Sequence, residues 1–134
     1  MKTICIKLTS ILLVMFCTIP LCAKKKNYTT LKPADFKAQI EQTANPCIID
    51  IRPAADFAMG HIAGAVNIDS SDNPQLLSTL KQLLSNTKNI FIYCKLGKTS
   101  QPIAEWIATN GAQNVYSLKG GIMAWSKNLP VVTE

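Results

Sequence analysis

The sequence has one histidine, His61, and no group of His, Cys and Asp residues at the spacing of metal ligands. Its six glycines form no Gly-rich nucleotide-binding loop, and no internal repeat or low-complexity linker interrupts the chain. We therefore expect neither a metal ion nor a nucleotide cofactor. Charged residues make up only 16% of the 134 residues and hydrophobic residues 48%, too apolar for a disordered chain and too mixed for a multi-span membrane protein. One compact domain is expected.

Two features are unusual for such a chain, namely five cysteines and a formal net charge of +6. Without regard to position, they suggest a disulfide framework and a nucleic-acid or acidic-membrane partner. Their positions decide whether either interpretation holds.

The first 23 residues have the pattern of a secretory signal peptide. Lys2 and Lys7 precede an apolar run over 11–16, and Ala23 comes just before a run of three lysines. An uncleaved N-terminal anchor is an alternative, although residues 8–23 give only 16 uncharged positions where roughly 20 span a bilayer comfortably. A lipoprotein modified at Cys22 is a third. We predict an exported protein, periplasmic or secreted, or else anchored outside the cytoplasm by a membrane tether within residues 1–23.

Removal of this segment changes both unusual features. Cys5, Cys17 and Cys22 leave with it, so only Cys47 and Cys94 remain and a disulfide framework is rejected. Without Lys2 and Lys7, 12 basic residues stand against 8 acidic ones, a charge of +4. Three of these charges belong to a basic leader over 24–27, so no nucleic-acid partner is expected for the folded domain over 28–134.

Short apolar runs alternate with helical patterns through the rest of the chain. Strands are predicted over 28–31, 47–51, 65–68, 89–93 and 114–118, the second, third and fourth of them as buried strands. Helices are predicted after 33, over 56–59, from 73 onward with a leucine stripe, from Thr99 or Ser100 as the cap to 110, and over 121–127. This alternation indicates a three-layer α/β domain with a mostly parallel sheet.

Chemistry in such a sheet lies at the carboxyl ends of the strands, which directs attention to the segment after Tyr93. Cys94 ends this strand, and a short loop with a central Gly97 leads into the next helix. Inward N–H groups and a helix N-terminus stabilise a bound anion and favour thiolate over thiol, as does nearby positive charge. Cys94 is therefore a candidate nucleophile, whereas a small buried side chain at a strand end is the simpler alternative. The predicted anion-binding loop comprises Lys95, Leu96, Gly97, Lys98, Thr99 and Ser100.

Four segments together resemble the single-domain rhodanese (thiosulfate sulfurtransferase) family. They are residues 48–52 followed by Asp56 and Phe57, residues 60–68, the Cys94 loop, and residues 118–125. The resemblance implies a five-stranded parallel sheet with helices on both faces, in a chain that we expect to be a monomer. It also implies that Cys94 carries sulfur: the thiolate attacks the outer sulfur of thiosulfate, sulfite leaves, and the persulfide passes sulfur to cyanide or a thiol.

Loop length separates this interpretation from a phosphatase. The related cell-cycle dual-specificity phosphatases have a loop one residue longer, so the six-residue form from Cys94 to Thr99 favours sulfur over phosphate or arsenate. The chain departs from the family at Thr99, where many relatives carry Arg, and at Ala63, where Pro is common. Thr99 and Ser100 donate hydrogen bonds but supply no fixed charge, so anion affinity is expected to be weaker and the donor need not be thiosulfate.

Other notable residues have structural interpretations. Asp50 and Arg52 are expected to hold loops by hydrogen bonds, with a substrate contact by Arg52 as an alternative, and His61 is expected in a structural turn. Gly120 and Gly121 would leave room beside the Cys94 loop, Asp56 is expected at the surface or at a helix start, and Trp106 and Trp125 in the core or at a pocket rim. A second function therefore stays open: a slow or non-catalytic module that carries sulfur or docks a partner.

Overall fold

The computed structural model describes residues 26–71 and 73–133. The predicted signal peptide and Lys24 and Lys25 of the basic leader lie outside the described residues. Within the described residues, no helix has both the length and the apolar character needed to cross a membrane.

Five strands and five helices alternate along the chain. The strands are β1 (Thr29–Leu31), β2 (Cys47–Asp50), β3 (Ala65–Asn67), β4 (Asn89–Tyr93) and β5 (Asn114–Leu118). The helices are α1 (Pro33–Gln42), α2 (Ala54–Met59), α3 (Asn73–Asn86), α4 (Ser100–Thr109) and α5 (Gly121–Trp125).

The strands form one parallel sheet in the order β1-β5-β4-β2-β3. Strand β4 is central, with Ile92 opposite Ile49 of β2 and Phe91 opposite Tyr116 of β5. Because all strands run in one direction, their carboxyl ends meet at the same edge, where Tyr93 leads into the Cys94 loop. The predicted five-stranded parallel sheet is confirmed.

Successive side chains of the central strands point to opposite faces of the sheet, so there is a hydrophobic core on each face. Ile49, Ile90 and Ile92 pack with the leucines of α3 and with α4. Ile48, Phe91 and Leu118 belong to the opposite core, with Phe36 of α1 and Trp125 of α5. Helices therefore cover both faces, as the sequence predicts, and burying the strands on both faces explains their continuous apolar runs.

Three predicted elements differ from the structure. Strand β3 is an edge strand and not a buried one, because it pairs only with β2 and leaves Val66 45% exposed. Helix α2 begins at Ala54, two residues before the predicted start at 56. Helix α5 ends at Trp125, two residues before the predicted end at 127. The indole Nε1 of Trp125 donates to the carbonyl oxygen of Pro130 at 2.9 Å, which holds the chain that follows α5.

The two cysteines of the described chain are both free. Cys47 is paired with Ile90, four residues before Cys94 on the neighbouring strand. At about 3.3 Å per residue this offset is roughly 13 Å, well beyond the reach of a disulfide. Burial raises the pKa of the Cys47 thiol, which favours its neutral form.

Candidate functional site

Cys94 is the first residue after β4 and begins a tight loop that ends where α4 starts at Ser100. The residue is only 6% exposed. The backbone N–H of Gly97 donates a hydrogen bond to Cys94 Sγ at 3.1 Å, so the loop curls around the sulfur. This is the inward-facing amide that the sequence predicts, and it donates directly to the sulfur.

Helix α5 fixes the orientation of the loop. The N–H of Ile122 donates to the carbonyl oxygen of Cys94 at 2.9 Å, and the N–H of Met123 donates to that of Lys95 at 3.2 Å. On the other side, the Gln101 amide donates to the carbonyl oxygen of Gly97 at 3.0 Å. These carbonyl oxygens are held by α5 and α4, and the backbone N–H of Gly97 donates to the sulfur.

Two glycines make this close approach between the loop and α5 possible. A Cβ atom on Gly121 would lie 2.4 Å from the Lys95 carbonyl oxygen and 2.5 Å from that of Cys94. A Cβ atom on Gly97 would lie 2.7 Å from the backbone nitrogen of Gly120. Gly97 and Gly121 also have φ values of +81° and +62°, which side chains resist. The predicted role in leaving room beside the loop is therefore confirmed for Gly121, whereas a Cβ atom on Gly120 would meet Ala124 Cβ of α5 at 2.6 Å.

Two buried serines lie behind the sulfur. Ser100 Oγ is 3.5 Å from Cys94 Sγ, and Ser117 Oγ on β5 is 3.2 Å from Ser100 Oγ. Both serines are fully buried. Sequence reasoning missed Ser117, although a serine inside the otherwise apolar end of β5 is a signal that a buried polar group needs a partner.

The other predicted loop residues are placed at the surface. Lys95, Leu96, Lys98 and Thr99 are exposed, whereas Cys94, Gly97 and Ser100 are buried together. Thr99 is the N-cap residue, as predicted, but it has helical backbone angles and its side chain makes no capping hydrogen bond. The Ser100 hydroxyl bonds within the site instead.

Asp50 and Arg52 form a buried ion pair beside the loop. Arg52 Nη2 lies 2.7 Å from Asp50 Oδ2 and also donates to the carbonyl oxygen of Gly60 at 2.7 Å. Burial opposes the charge of the Arg52 guanidinium, but the hydrogen bond and charge of Asp50 outweigh it and raise the pKa of Arg52. The pair ties the end of β2 to the segment after α2, the structural role expected for both residues.

Tyr93 and His61 complete this support. The Tyr93 hydroxyl accepts a hydrogen bond from the N–H of Ile62 at 3.1 Å. Burial, and then the charge of Asp50, raise the pKa of Tyr93. His61 is 1% exposed, stacks on Phe57 and pairs with Val132 through backbone hydrogen bonds, so it lies in a structural turn.

A groove leads from the loop across the surface between α2 and α5. Its first part, about 130 Å³, is lined by Arg52, Asp56, Met59, Lys95, Ile122 and Met123. An overlapping part, about 180 Å³, extends along Gly60 and Ser126 to Val131. Arg52 thus reaches the same groove as Lys95, but it does so with its charge already paired to Asp50.

Among the described residues, no group of three or more His, Cys, Asp or Glu side chains could hold a metal ion.

The five-stranded parallel sheet and the cysteine loop at its edge define a class of α/β protein, and comparison with known proteins identifies the family. The family described as Rhodanese-like domain matches residues 32–128, and the chain belongs to this family. Over 93 residues it is 28% identical to the thiosulfate sulfurtransferase GlpE of Tolumonas auensis, covering 69% of this chain and 84% of that protein. Over 99 residues it is 33% identical to a tRNA uridine(34) hydroxylase of Staphylococcus epidermidis, covering 72% of this chain but 30% of that protein.

Solved structures agree with the fold. A rhodanese-related protein from Thermoplasma volcanium superimposes with a TM-score of 0.66 at 28% identity, covering 80% of this chain and all of the other. A rhodanese-like domain protein from Staphylococcus aureus gives 0.62 at 24% identity, with coverage of 79% and 98%. The chain spans less than a third of the tRNA uridine hydroxylases that it matches over about 100 residues.

Proposed function

We propose that the protein is a sulfurtransferase that moves sulfane sulfur from thiosulfate or a related donor to a thiol or cyanide through a persulfide on Cys94. The observation that carries this proposal is the 3.1 Å hydrogen bond from the Gly97 amide to Cys94 Sγ, in a loop that ends at the N-terminus of α4. The relative named thiosulfate sulfurtransferase, most of whose length this chain covers, supports it.

In the first half-reaction the Cys94 thiolate attacks the outer sulfur of thiosulfate. The bond between the two sulfur atoms of the donor breaks, sulfite leaves with the electron pair, and a persulfide remains on Cys94. Thiosulfate, sulfite and the persulfide are all anions. The Gly97 amide and the N-terminus of α4 stabilise negative charge throughout this step.

In the second half-reaction an acceptor thiolate or cyanide attacks the outer sulfur of the persulfide. The sulfur–sulfur bond breaks and Cys94 leaves as a thiolate, while the acceptor carries the sulfur away. The Gly97 amide and the Ser100 hydroxyl, 3.1 and 3.5 Å from Sγ, stabilise the leaving thiolate. No external oxidant, reductant or cofactor is needed to balance either step.

Mass spectrometry of the intact protein tests the proposal. After incubation with thiosulfate, the protein should gain the mass of one sulfur atom and lose it again on addition of cyanide. Cys94→Ser should show no gain, whereas Cys47→Ser, which changes the other cysteine of the described chain, should behave like the wild type. If folded protein takes up no sulfur from thiosulfate or from any other sulfane donor, the proposal fails.

A slower, carrier-like function is the second candidate, and the position of Thr99 favours it. Thr99 is exposed and supplies no fixed charge to the loop, and Cys94 itself is only 6% exposed. A carrier would retain its persulfide and turn over slowly with thiosulfate. Steady-state release of sulfite, compared between wild type and Thr99→Arg, separates the two: a large gain in Thr99→Arg supports a carrier that is limited by donor capture.

Export is also proposed, on the pattern of residues 1–23 alone. The mass of the mature N-terminus in the native host tests it, because cleavage after Ala23 removes the segment, lipidation adds mass at Cys22, and an anchor leaves the chain intact. The unmodified full-length chain in a cytosolic fraction would contradict all three forms of this proposal.

A further inference from the structure

Several large hydrophobic side chains are exposed near the Cys94 loop. In the described part of the chain six large hydrophobic side chains are exposed, and four of them lie on this face: Met59 at 81%, Leu96 at 58%, Met123 at 48% and Val131 at 38%. We call these four the active-face rim. Met59, Met123 and Val131 line the groove, and Leu96 belongs to the Cys94 loop itself. Exposed apolar side chains grouped in this way can form an interaction site.

The rim is continuous with the candidate site. Met59 and Met123 line the groove together with Lys95, the residue after the reactive cysteine. Val131 lines the overlapping part of the same groove. A chain segment lying in the groove would therefore run from the mouth of the Cys94 loop toward the C-terminal residues of the domain.

The charged residues beside the Cys94 loop indicate which partner segments would bind there. Lys95 and Lys98 are both exposed. The ion pairs found among the described residues are Lys37–Glu41 and Asp50–Arg52, so neither lysine has a carboxylate partner within that part of the chain. Asp56 lines the same groove and offsets one of the two charges, so this face keeps a net positive charge beside its apolar side chains. Such a face is complementary to a segment that has both acidic and apolar residues.

Methionine suits such a role. Its unbranched, polarisable side chain adapts to irregular partner surfaces, and it is common where a site accepts segments of variable shape. Cyanide and small thiols cannot contact the rim and the cysteine at once, so the rim adds nothing to sulfur transfer to them. A partner that benefits from the rim has to extend beyond its own reacting sulfur.

We infer that the sulfur acceptor is a protein thiol, carried on an extended segment with an apolar residue and acidic residues near its cysteine, that docks on the active-face rim. This inference rests on the proposed sulfurtransferase function. The acceptor thiolate attacks the outer sulfur of the Cys94 persulfide, the bond from that sulfur to Cys94 Sγ breaks, and Cys94 is released as a thiolate. The partner leaves as a persulfide.

Synthetic peptides of one length test the inference with the persulfide form of the full chain. One peptide has a cysteine flanked by leucine and aspartates, and the other has lysines in place of the aspartates. We expect sulfur transfer to the acidic peptide to be about tenfold faster at low salt, and the ratio to fall as salt is added because exposed charges are screened. Equal rates with both peptides at low salt would overturn the inference.

Variants separate the rim from the chemistry. In Met59→Ser/Met123→Ser, the ratio of transfer to the acidic peptide over transfer to cyanide should fall about five- to tenfold, since apolar contact area is lost. Leu77→Ser is the matched control, because Leu77 is similarly exposed at 41% but lies on α3 in a separate pocket. An unchanged ratio in the double variant would refute docking on the rim.

A binding measurement with a peptide that cannot accept sulfur tests the docking surface separately from the sulfurtransferase proposal. A fluorescent acidic peptide with serine in place of cysteine should bind the wild type, and more weakly the double variant, by anisotropy. If no persulfide ever forms but this peptide binds through the rim, the sulfurtransferase proposal fails while the docking surface stands. If the persulfide forms and discharges to cyanide but the peptide does not bind, the docking surface alone is refuted.

Discussion

Substitution of Gly121 by alanine should disrupt the Cys94 loop more than any comparable change in the domain. The new Cβ atom would lie 2.4 Å from the Lys95 carbonyl oxygen, so reaching the 3.4 Å of ordinary contact requires a displacement of about 1 Å. The φ of +62° adds about 1–2 kcal/mol of strain for alanine. With the steric contact included, we expect the free energy of unfolding to fall by roughly 3–4 kcal/mol.

The effect on function should exceed the effect on stability alone. A misplacement of about 1 Å in a reacting group can cost roughly a hundredfold in rate, so sulfur loading of folded Gly121→Ala should fall by about that factor. Urea unfolding gives the stability and the mass assay after timed exposure to thiosulfate gives the loading rate, both under conditions where the variant is folded.

Gly64→Ala is the matched control for this experiment. Gly64 has a similarly positive φ of +83°, but a Cβ atom there would meet only Ile48 Cδ1 at 3.9 Å. It should therefore lose about 1–2 kcal/mol from backbone strain and load sulfur at the wild-type rate. If Gly121→Ala and Gly64→Ala match in both measurements, the close contact between α5 and the loop does not position the reactive sulfur.

Three further substitutions test the groups around the loop. Ser117→Ala should slow sulfur loading about fivefold, because Ser100 loses a hydrogen bond worth roughly 1 kcal/mol, and a loading rate equal to that of the wild type would show that Ser117 does not position Ser100. Tyr93→Phe should reduce the loss of stability at alkaline pH. Burial raises the pKa of Tyr93 above the ordinary 10.0, so the stabilisation from its neutral hydroxyl is complete below about pH 10 and is lost above it. Urea unfolding at a series of pH values should show a difference in slope of up to about 1.4 kcal/mol per pH unit. Equal alkaline slopes in both proteins would contradict this. Asp50→Ala leaves the Arg52 charge buried without its partner and should cost about 3–5 kcal/mol in urea unfolding, and a loss below about 1 kcal/mol would count against a structural role for the pair.

The sequence predicts the elements that packing alone determines. Strands β4 and β5 have the predicted bounds, and most residues of both strands are buried. Strand β3 was misjudged because Ala65, Val66 and Asn67 do not show whether another strand lies beyond them, and sheet order is a long-range property. The alternation of apolar runs and helical patterns predicted all five strands and a three-layer domain, and the family resemblance implied the same five-stranded parallel sheet.

The residues of the candidate site also fall into those predicted from the local sequence and those that only long-range strand pairing brings together. Cys94 and Gly97 follow from the local pattern of strand, loop and helix, and the Gly97 amide lies where that pattern puts it. Ser117 is close to Ser100 only because β5 lies beside β4, a pairing that no local pattern reveals. The rim was missed for the same reason, since Met59 and Met123 are exposed and far apart in sequence.

The hydrogen bonds from α5 to the Cys94 loop also set an order of events during folding. The Ile122 and Met123 amides that hold the loop carbonyls come late in the chain, after the cysteine and its strand have been made. A chain that has not yet placed α5 carries a cysteine whose loop is unsupported, and we expect its thiol to react as an ordinary one. Any chemistry that depends on a positioned sulfur is therefore expected only after α5 has packed against the loop.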